Sequence, residues 1–203
     1  MTNICFRYSK IKLTTQLKKN IDKIGGNKTK ALKMQSKIST HNRKIGKLIN
    51  QHTIDVKFMR LALKEARLAA EADEVPVGAV MVQGGEVIAS GRNRIRELRD
   101  PSAHAEIVAI RAAGKKMNRE RLTEASLYTT LEPCAMCAGA LVLARVKRVV
   151  FASSDPKAGA GGSIMDLLRH PQLNHRIEVT GEVLAGTARQ LLVRFFKSKR
   201  KVR

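Results

Sequence analysis

Two short spacings in this chain could assemble a reactive metal centre: His104-Ala105-Glu106, and downstream Pro133-Cys134-Ala135-Met136-Cys137. Cysteines at C-x-x-C spacing on a helix start place both sulfurs at one end of one turn. Free amides and the helix dipole there favour thiolates, the form a metal needs. His104 adds an imidazole nitrogen. Three protein donors leave a tetrahedral zinc one open position, which suits catalysis; a structural zinc would want a fourth protein donor. Cys5 sits far upstream, and His41, His52, His170 and His175 lack ligand-like spacing to the cluster. Glu106 is better left off the metal. A carboxylate beside a zinc-activated water can take its proton, hand it to a ring nitrogen and protonate a departing amine. The chemistry such a set can run is hydrolytic removal of an exocyclic amine from an amidine-like carbon.

Blander readings compete. A bare C-x-x-C could be a redox pair, but a redox site has no need of Pro133 before it or of His104 and Glu106 upstream. His104 lies in an apolar run with Ala103, Ala105, Ile107 and Val108, so it could be a core histidine. Glu106 could be a helix N-terminal acid. Each is weaker once the three motifs are taken together.

The elements must bring these residues to one place. Of 203 residues, 43% are hydrophobic but only 3% aromatic, so the core is aliphatic. This length suits one domain plus extensions. No run approaches a membrane span. Three cysteines, two of them candidate ligands, leave no disulfide framework and fit a reducing compartment. The net charge of +22 is uneven. Residues 1–57 carry 14 basic and 2 acidic side chains, residues 58–188 carry 18 and 15, and residues 189–203 carry 7 and none. Basic ends commonly meet a polyanion, although a charge run can be only a solvated face.

Residues 1–53 read as a basic appendage without sustained periodicity, disordered or weakly helical. A transit peptide, an RNA-grasping arm or an upstream stretch ahead of a later start at Met34 or Met59 are the alternatives. Residues 54–203 read as the catalytic domain. Phe58, Leu61, Ala62, Glu65, Ala66 and Ala69 form a helical stripe. Strands are expected at 75–83 and 86–90 around a Gly84-Gly85 turn, then at 125–130, 147–152 and 176–180. Helices are expected at 103–115, 134–145 and from 184 into the basic tail. This order predicts an α/β fold with a mixed sheet covered on both faces. Both ligand motifs then fall where the chain enters a helix.

The H-x-E and P-C-x-x-C pair is the known signature of zinc nucleobase deaminases. From Phe58 to Arg200 the chain resembles the bacterial tRNA-specific adenosine deaminases of the cytidine-deaminase-like superfamily. The resemblance is carried by Glu74-Val75-Pro76-Val77-Gly78-Ala79, Gly91-Arg92-Asn93-Arg94, Asp100-Pro101-Ser102 ahead of His104, the run 131–140, and Asp155-Pro156-Lys157-Ala158-Gly159-Ala160-Gly161-Gly162-Ser163. The 155–163 segment and the basic C-terminal helix point to the tRNA branch. The chain departs from the pattern at Ala152-Ser153-Ser154, where glycine is common at the first position.

The resemblance implies a three-layer α/β/α fold with a five-stranded sheet, one Zn2+ per subunit, and conversion of adenosine to inosine at wobble position 34 of tRNA-Arg(ACG). Glu106 would be catalytic and His104, Cys134 and Cys137 the metal ligands. Asn93, Val77, Ala105 and Asp155 would meet the nucleotide. Phe195, Phe196, Lys197, Lys199 and Arg200 would meet the anticodon stem-loop by stacking and phosphate contact. A cytoplasmic homodimer is expected. Read alone, Asn93 could be a turn residue, Val77 core, Asp155 a turn acid before Pro156, and one of Phe195 and Phe196 core packing. Two other functions share the zinc set: a free nucleobase or nucleoside deaminase acting on guanine or cytosine, and a non-catalytic tRNA-binding module.

Overall fold

The computed structural model describes residues 28–200, with side chains from residue 36 on. Residues 1–27, Cys5 among them, and 201–203 lie outside the described residues, and with them the expectation of disorder or weak helix over 1–27 and the last three residues of the basic tail. The chain divides into two compact units, residues 1–51 and 52–203. The described part of the first is the opening of helix α1 (Lys28–Glu71). Residues 28–51 were expected to be disordered or weakly helical; they are continuous helix. From residue 36 to 51 the side chains are exposed, with only Ile38 and Ile45 half-buried. A helix with no buried stripe leaves no apolar period in the sequence.

The second unit holds a five-stranded mixed sheet in the order β2-β1-β3-β4-β5. Its strands are β1 (Gly78–Gln83), β2 (Glu86–Arg92), β3 (Ser126–Leu131), β4 (Arg148–Ser153) and β5 (Glu178–Thr180). β1 pairs antiparallel with β2 and β3, while β3, β4 and β5 run parallel. The helices after α1 are α2 (Ile95–Leu98), α3 (Ala105–Met117), α4 (Ala135–Leu143) and α5 (Ala185–Arg200). Strand alternation divides the core in two. Ala79, Met81, Leu127 and Val149 face α3 and α4 through Ala105, Ala109 and Leu141. Val80, Val82, Tyr128, Val150 and Ala152 face α1 and α5 through Phe58, Met59, Ala62 and Ala188. The expected α/β class is therefore observed, with helices on both faces of the sheet.

Two local differences have simple causes. The buried stripe of α1 runs through Asp55, Phe58, Met59, Ala62, Leu63, Ala66 and Ala69, while Leu61 is 39% exposed and Glu65 half-buried. The stripe is rotated because Asp55 anchors it inward: its carboxylate accepts from Arg148 (2.7 and 2.9 Å) and Tyr128 (3.0 Å), all three buried. The short helix α2 was not anticipated. Its first amides, Arg96 and Glu97, donate to the buried Glu74 carboxylate at 2.7 and 3.0 Å, a cap supplied from a distant segment.

Parallel strands β3 and β4 release the chain at the same edge of the sheet, where Glu132 N–H donates to Ser153 O at 2.8 Å. Ligands in α/β sheets bind beyond such carboxyl ends. β3 leads into the Cys134 turn and β4 into the 155–163 segment. Ala152, in place of glycine, is fully buried, and β4 continues through Ser153 in register with Leu131.

Candidate active site

His104 and Cys134 are each the N-cap residue of a helix, of α3 and α4 respectively. Both have extended backbone (φ −68°, ψ 154° and φ −73°, ψ 174°), and neither side chain caps its helix. A Ser or Asp at such a position would turn back onto the helix amides. Here the imidazole and the thiol are left to face each other. This is also why both helices begin one or two residues later than the sequence suggested.

Close helix-on-strand contact fixes α3. A Cβ placed on Gly91 of β2 would lie 2.4 Å from Ala105 O and 2.7 Å from Ala109 N, so only glycine allows α3 to sit this near the sheet. The buried alanines 105, 109 and 113 complete the fit.

The result is a compact donor set. His104 Nδ1 stands 3.6 Å from Cys134 Sγ and 3.5 Å from Cys137 Sγ. All three donor atoms lie within 4.8 Å of one another, and among the described residues no other group of three His, Cys, Asp or Glu does so. Zn–N bonds of about 2.0–2.1 Å and Zn–S bonds of about 2.3 Å at the tetrahedral angle put nitrogen and sulfur about 3.6 Å apart. The observed spacing is that of ligands around one ion, and the donor types suit zinc. Cys134 is held far below the ordinary thiol range, to about 3, by hydrogen bonds from Cys137 and then His104. Cys137 is pushed up by its bond to Cys134 and by burial. The opposite shifts make Cys134 the readier thiolate of the two, and a bound cation would favour the thiolate form of both.

Glu106 is 3% exposed on the first turn of α3. Its Oε2 is 3.6 Å from Cys137 Sγ, and its Oε1 accepts from Thr129 Oγ1 at 3.3 Å. Burial raises its carboxyl above the usual carboxylate range. A carboxyl placed so, off the donor triangle and able to hold a proton, is equipped for transfer in both directions.

The other expected residues divide. Asn93 is buried, and its Oδ1 accepts from Ala105 N–H at 2.9 Å. The Ala105 amide, expected to seat the reacting centre, therefore already has a partner within the chain. Val77 is buried, and its carbonyl accepts from Asn93 N–H at 3.1 Å, so β1 and the Asn93 turn are tied together. Asp155 Oδ1 accepts from Lys157 N–H at 2.9 Å, a turn acid's bond. At the C-terminus, Phe196, Lys199 and Arg200 line an open groove of about 590 Å³ with Lys157, Leu192 and Val193. Phe195 is half-buried, its ring 5.5 Å from that of Phe196, and Lys197 is exposed. Lys199 pairs with Asp73 and its Nζ lies 5.5 Å from the Phe195 ring.

Sequence reasoning left Thr129, Glu74 and Glu132 without roles. Thr129 was findable: it shares a strand face with Leu127, the face that meets α3. The partners of Glu74 and, apart from the Ser163 hydroxyl, of Glu132 are backbone amides, which leave no trace in residue identity.

The sequence model of the MafB19-like deaminase family matches residues 50–200. A tRNA-specific adenosine deaminase from Agrobacterium fabrum is 48% identical over 143 residues, 70% of this chain and 94% of its own length. A solved structure from studies of A-to-I editing by tRNA:A34 deaminases at the wobble position is 47% identical, with a TM-score of 0.65 over 67% of this chain and 99% of the other. The guanine deaminase of Nitrosomonas europaea is 28% identical, with a TM-score of 0.61 over 69% of this chain and 83% of the other. A match of this extent, on a chain whose donor triangle and buried acid stand at one sheet edge, makes this protein a member of the MafB19-like deaminases, in the branch of the tRNA-specific adenosine deaminases.

Proposed function

We propose that this chain hydrolyses adenosine 34 of tRNA-Arg(ACG) to inosine and ammonia, holding one zinc per subunit on His104, Cys134 and Cys137. The observation that carries the reading is the 3.5–3.6 Å convergence of imidazole and thiols beside a buried carboxyl. Bound zinc would acidify a water so that a nucleophile exists near neutral pH. Glu106 takes the proton of the attacking water and delivers it to purine N1 as C6 becomes tetrahedral. The proton of the new C6 hydroxyl then passes through Glu106 to the amine, the C6=O bond forms as the C6–N6 bond breaks, and ammonia leaves. Thr129 holds the carboxyl in orientation through its hydroxyl. Asn93, whose Oδ1 is engaged by Ala105, would offer its amide nitrogen to the base, with Val77 as pocket wall. Asp155 would approach the nucleotide backbone. The groove with Lys157, Phe196, Lys199 and Arg200, together with Phe195 and Lys197, would take the anticodon stem-loop.

Homodimerisation in a bacterial cytoplasm belongs to the same reading. Exposed Met136 and Leu143 on α4, with Ile164 and Met165, supply apolar surface that a second copy would cover. No described helix is long and apolar enough to cross a membrane. The test is incubation of zinc-loaded protein with tRNA-Arg(ACG), followed by sequencing for an A-to-I change at position 34. Absence of inosine together with ammonia release from guanine or cytosine would instead identify a free-base deaminase, the activity of the 28% identical relative.

A further inference from the structure

Glu132 stands between the end of β3 and the Cys134 turn, 2% exposed, and the proposed chemistry gives it no part. Its carboxylate is fully engaged. Oε1 accepts from Gly161 N–H at 2.9 Å and from Ser163 N–H at 3.0 Å. Oε2 accepts from Asp155 N–H at 2.9 Å and from the Ser163 hydroxyl. Four donors match the capacity of an ionised carboxylate, and all four come from one segment, residues 155–163.

The main chain lays that segment along the donor turn. Cys134 and Gly159 form an isolated antiparallel bridge, and Ala160 N–H donates to Pro133 O at 2.8 Å. A Cβ on Gly159 would come within 2.5 Å of Glu132 Oε2 and 2.6 Å of Asp155 O, so glycine is required for this approach. The segment carries Asp155, and its Lys157 lines the cationic groove. A buried carboxylate whose partners all lie on one loop binds that loop, because freeing the loop would leave the charge unsatisfied.

We propose that Glu132 is a positioning residue, a buried clamp that holds the 155–163 loop on the donor turn and sets affinity for the tRNA substrate rather than the rate of the chemical step. This rests on the tRNA reading above. Glu132→Gln keeps the size but not the pattern. With its oxygen toward Gly161 and Ser163, the new amide group faces the Asp155 N–H, donor against donor. The reverse orientation loses two bonds. The substitution therefore frees the Asp155 end of the loop.

The experiment compares wild-type and Glu132→Gln protein, both zinc-loaded. Loss of one buried charge-assisted bond predicts a rise in KM for tRNA of about tenfold, with kcat within about twofold. Zinc content should be unchanged. Amide hydrogen exchange should accelerate at Asp155 and Lys157 and stay unchanged in β3, β4 and α4. Ser163→Ala should shift KM in the same direction by less, and Gly159→Ala should reproduce the KM signature from the loop side. Those two carry the test if Glu132→Gln does not fold. An unchanged KM, a fall in kcat alone, or lost zinc would overturn the proposal. Wild-type protein inert on tRNA would instead sink the substrate reading, and the exchange pattern would still decide for or against the clamp.

Discussion

Glu106 is the residue on which chemistry and structure most nearly part company. It is buried, and its carboxyl meets Thr129 Oγ1 and Cys137 Sγ rather than a cationic side chain, so its contacts do not mark it as a support for the fold. Removing it should leave the donor triangle intact, because His104, Cys134 and Cys137 are set by the ends of α3 and α4. For Glu106→Ala we expect stoichiometric zinc and unchanged tRNA affinity, with deamination slower by about 10²–10⁴-fold, the usual contribution of a general acid–base group. Elemental analysis, filter binding and single-turnover kinetics check the three parts. Retained turnover in that variant would remove the residue from the mechanism. The residue scale is also where the sequence was most legible, because metal donors are identified by type and spacing. Asn93 and Ala105 were legible as a neighbourhood but not as a pair. That one hydrogen-bonds the other depends on how closely α3 approaches β2, which Gly91 permits but does not announce.

At the scale of elements, two features connect the site to the rest of the domain. The first is the buried Asp55–Arg148 pair joining α1 to β4, with Tyr128 and Thr180 as further partners. Asp55→Ala leaves the buried Arg148 guanidinium with only the largely exposed Glu178 carboxylate, 3.2 Å from its Nε, as ionic partner, and should cost about 3 kcal/mol in denaturant unfolding. Asp55→Leu with Arg148→Met should recover most of that, and equal loss in single and double variants would deny that the charges act as a pair. The second is the turn before α3. Asp100 Oδ1 accepts from Ser102 N–H at 2.8 Å and Ser102 Oγ at 2.7 Å, and these bonds, then Arg111, hold its carboxyl below the usual carboxylate range. A depressed folded value means the stabilisation is complete above the unfolded Asp value of about 3.9 and is lost as pH falls through the lower folded one. Asp100→Asn keeps an acceptor for Ser102 but not the charge. The stability gap between wild type and variant should therefore be constant from pH 7 to 5 and close toward pH 3. A gap that widened on acidification would contradict the sign. The strands, their succession along the chain and the long helices between and after them were legible because the aliphatic core repeats at period 2 or 3.6. The turned stripe of α1 was not, since it is set by a buried charge whose partner lies far along the chain. Neither was α2, which takes its cap from Glu74.

For the whole molecule, the balanced middle of the sequence is the domain that carries the site, and excess positive charge gathers at the ends. The C-terminal excess has a place: α5 ends on Lys197, Lys199 and Arg200, and two of these line a groove with Lys157. Their free charge is unequal. Lys199 pairs with Asp73 and lies over Phe195, so its ammonium ties α5 to the turn after α1. Lys197 is exposed, and neither it nor Arg200 has a described ion-pair partner within 4 Å. If tRNA is the substrate, phosphate contact by these two releases counterions, and each contributes about 0.7–0.9 to the slope of log affinity against log salt. Lys197→Gln with Arg200→Gln should then weaken tRNA binding at low salt and flatten the slope by about 1.4–1.8, with kcat unchanged. Lys199→Gln should flatten it less and lower thermal stability more, because Asp73 loses its partner. Binding isotherms from 50 to 300 mM salt with melting curves separate the two effects. A slope unaltered in the double variant would mean that the basic end of α5 is solvated surface and that the polyanion is held elsewhere.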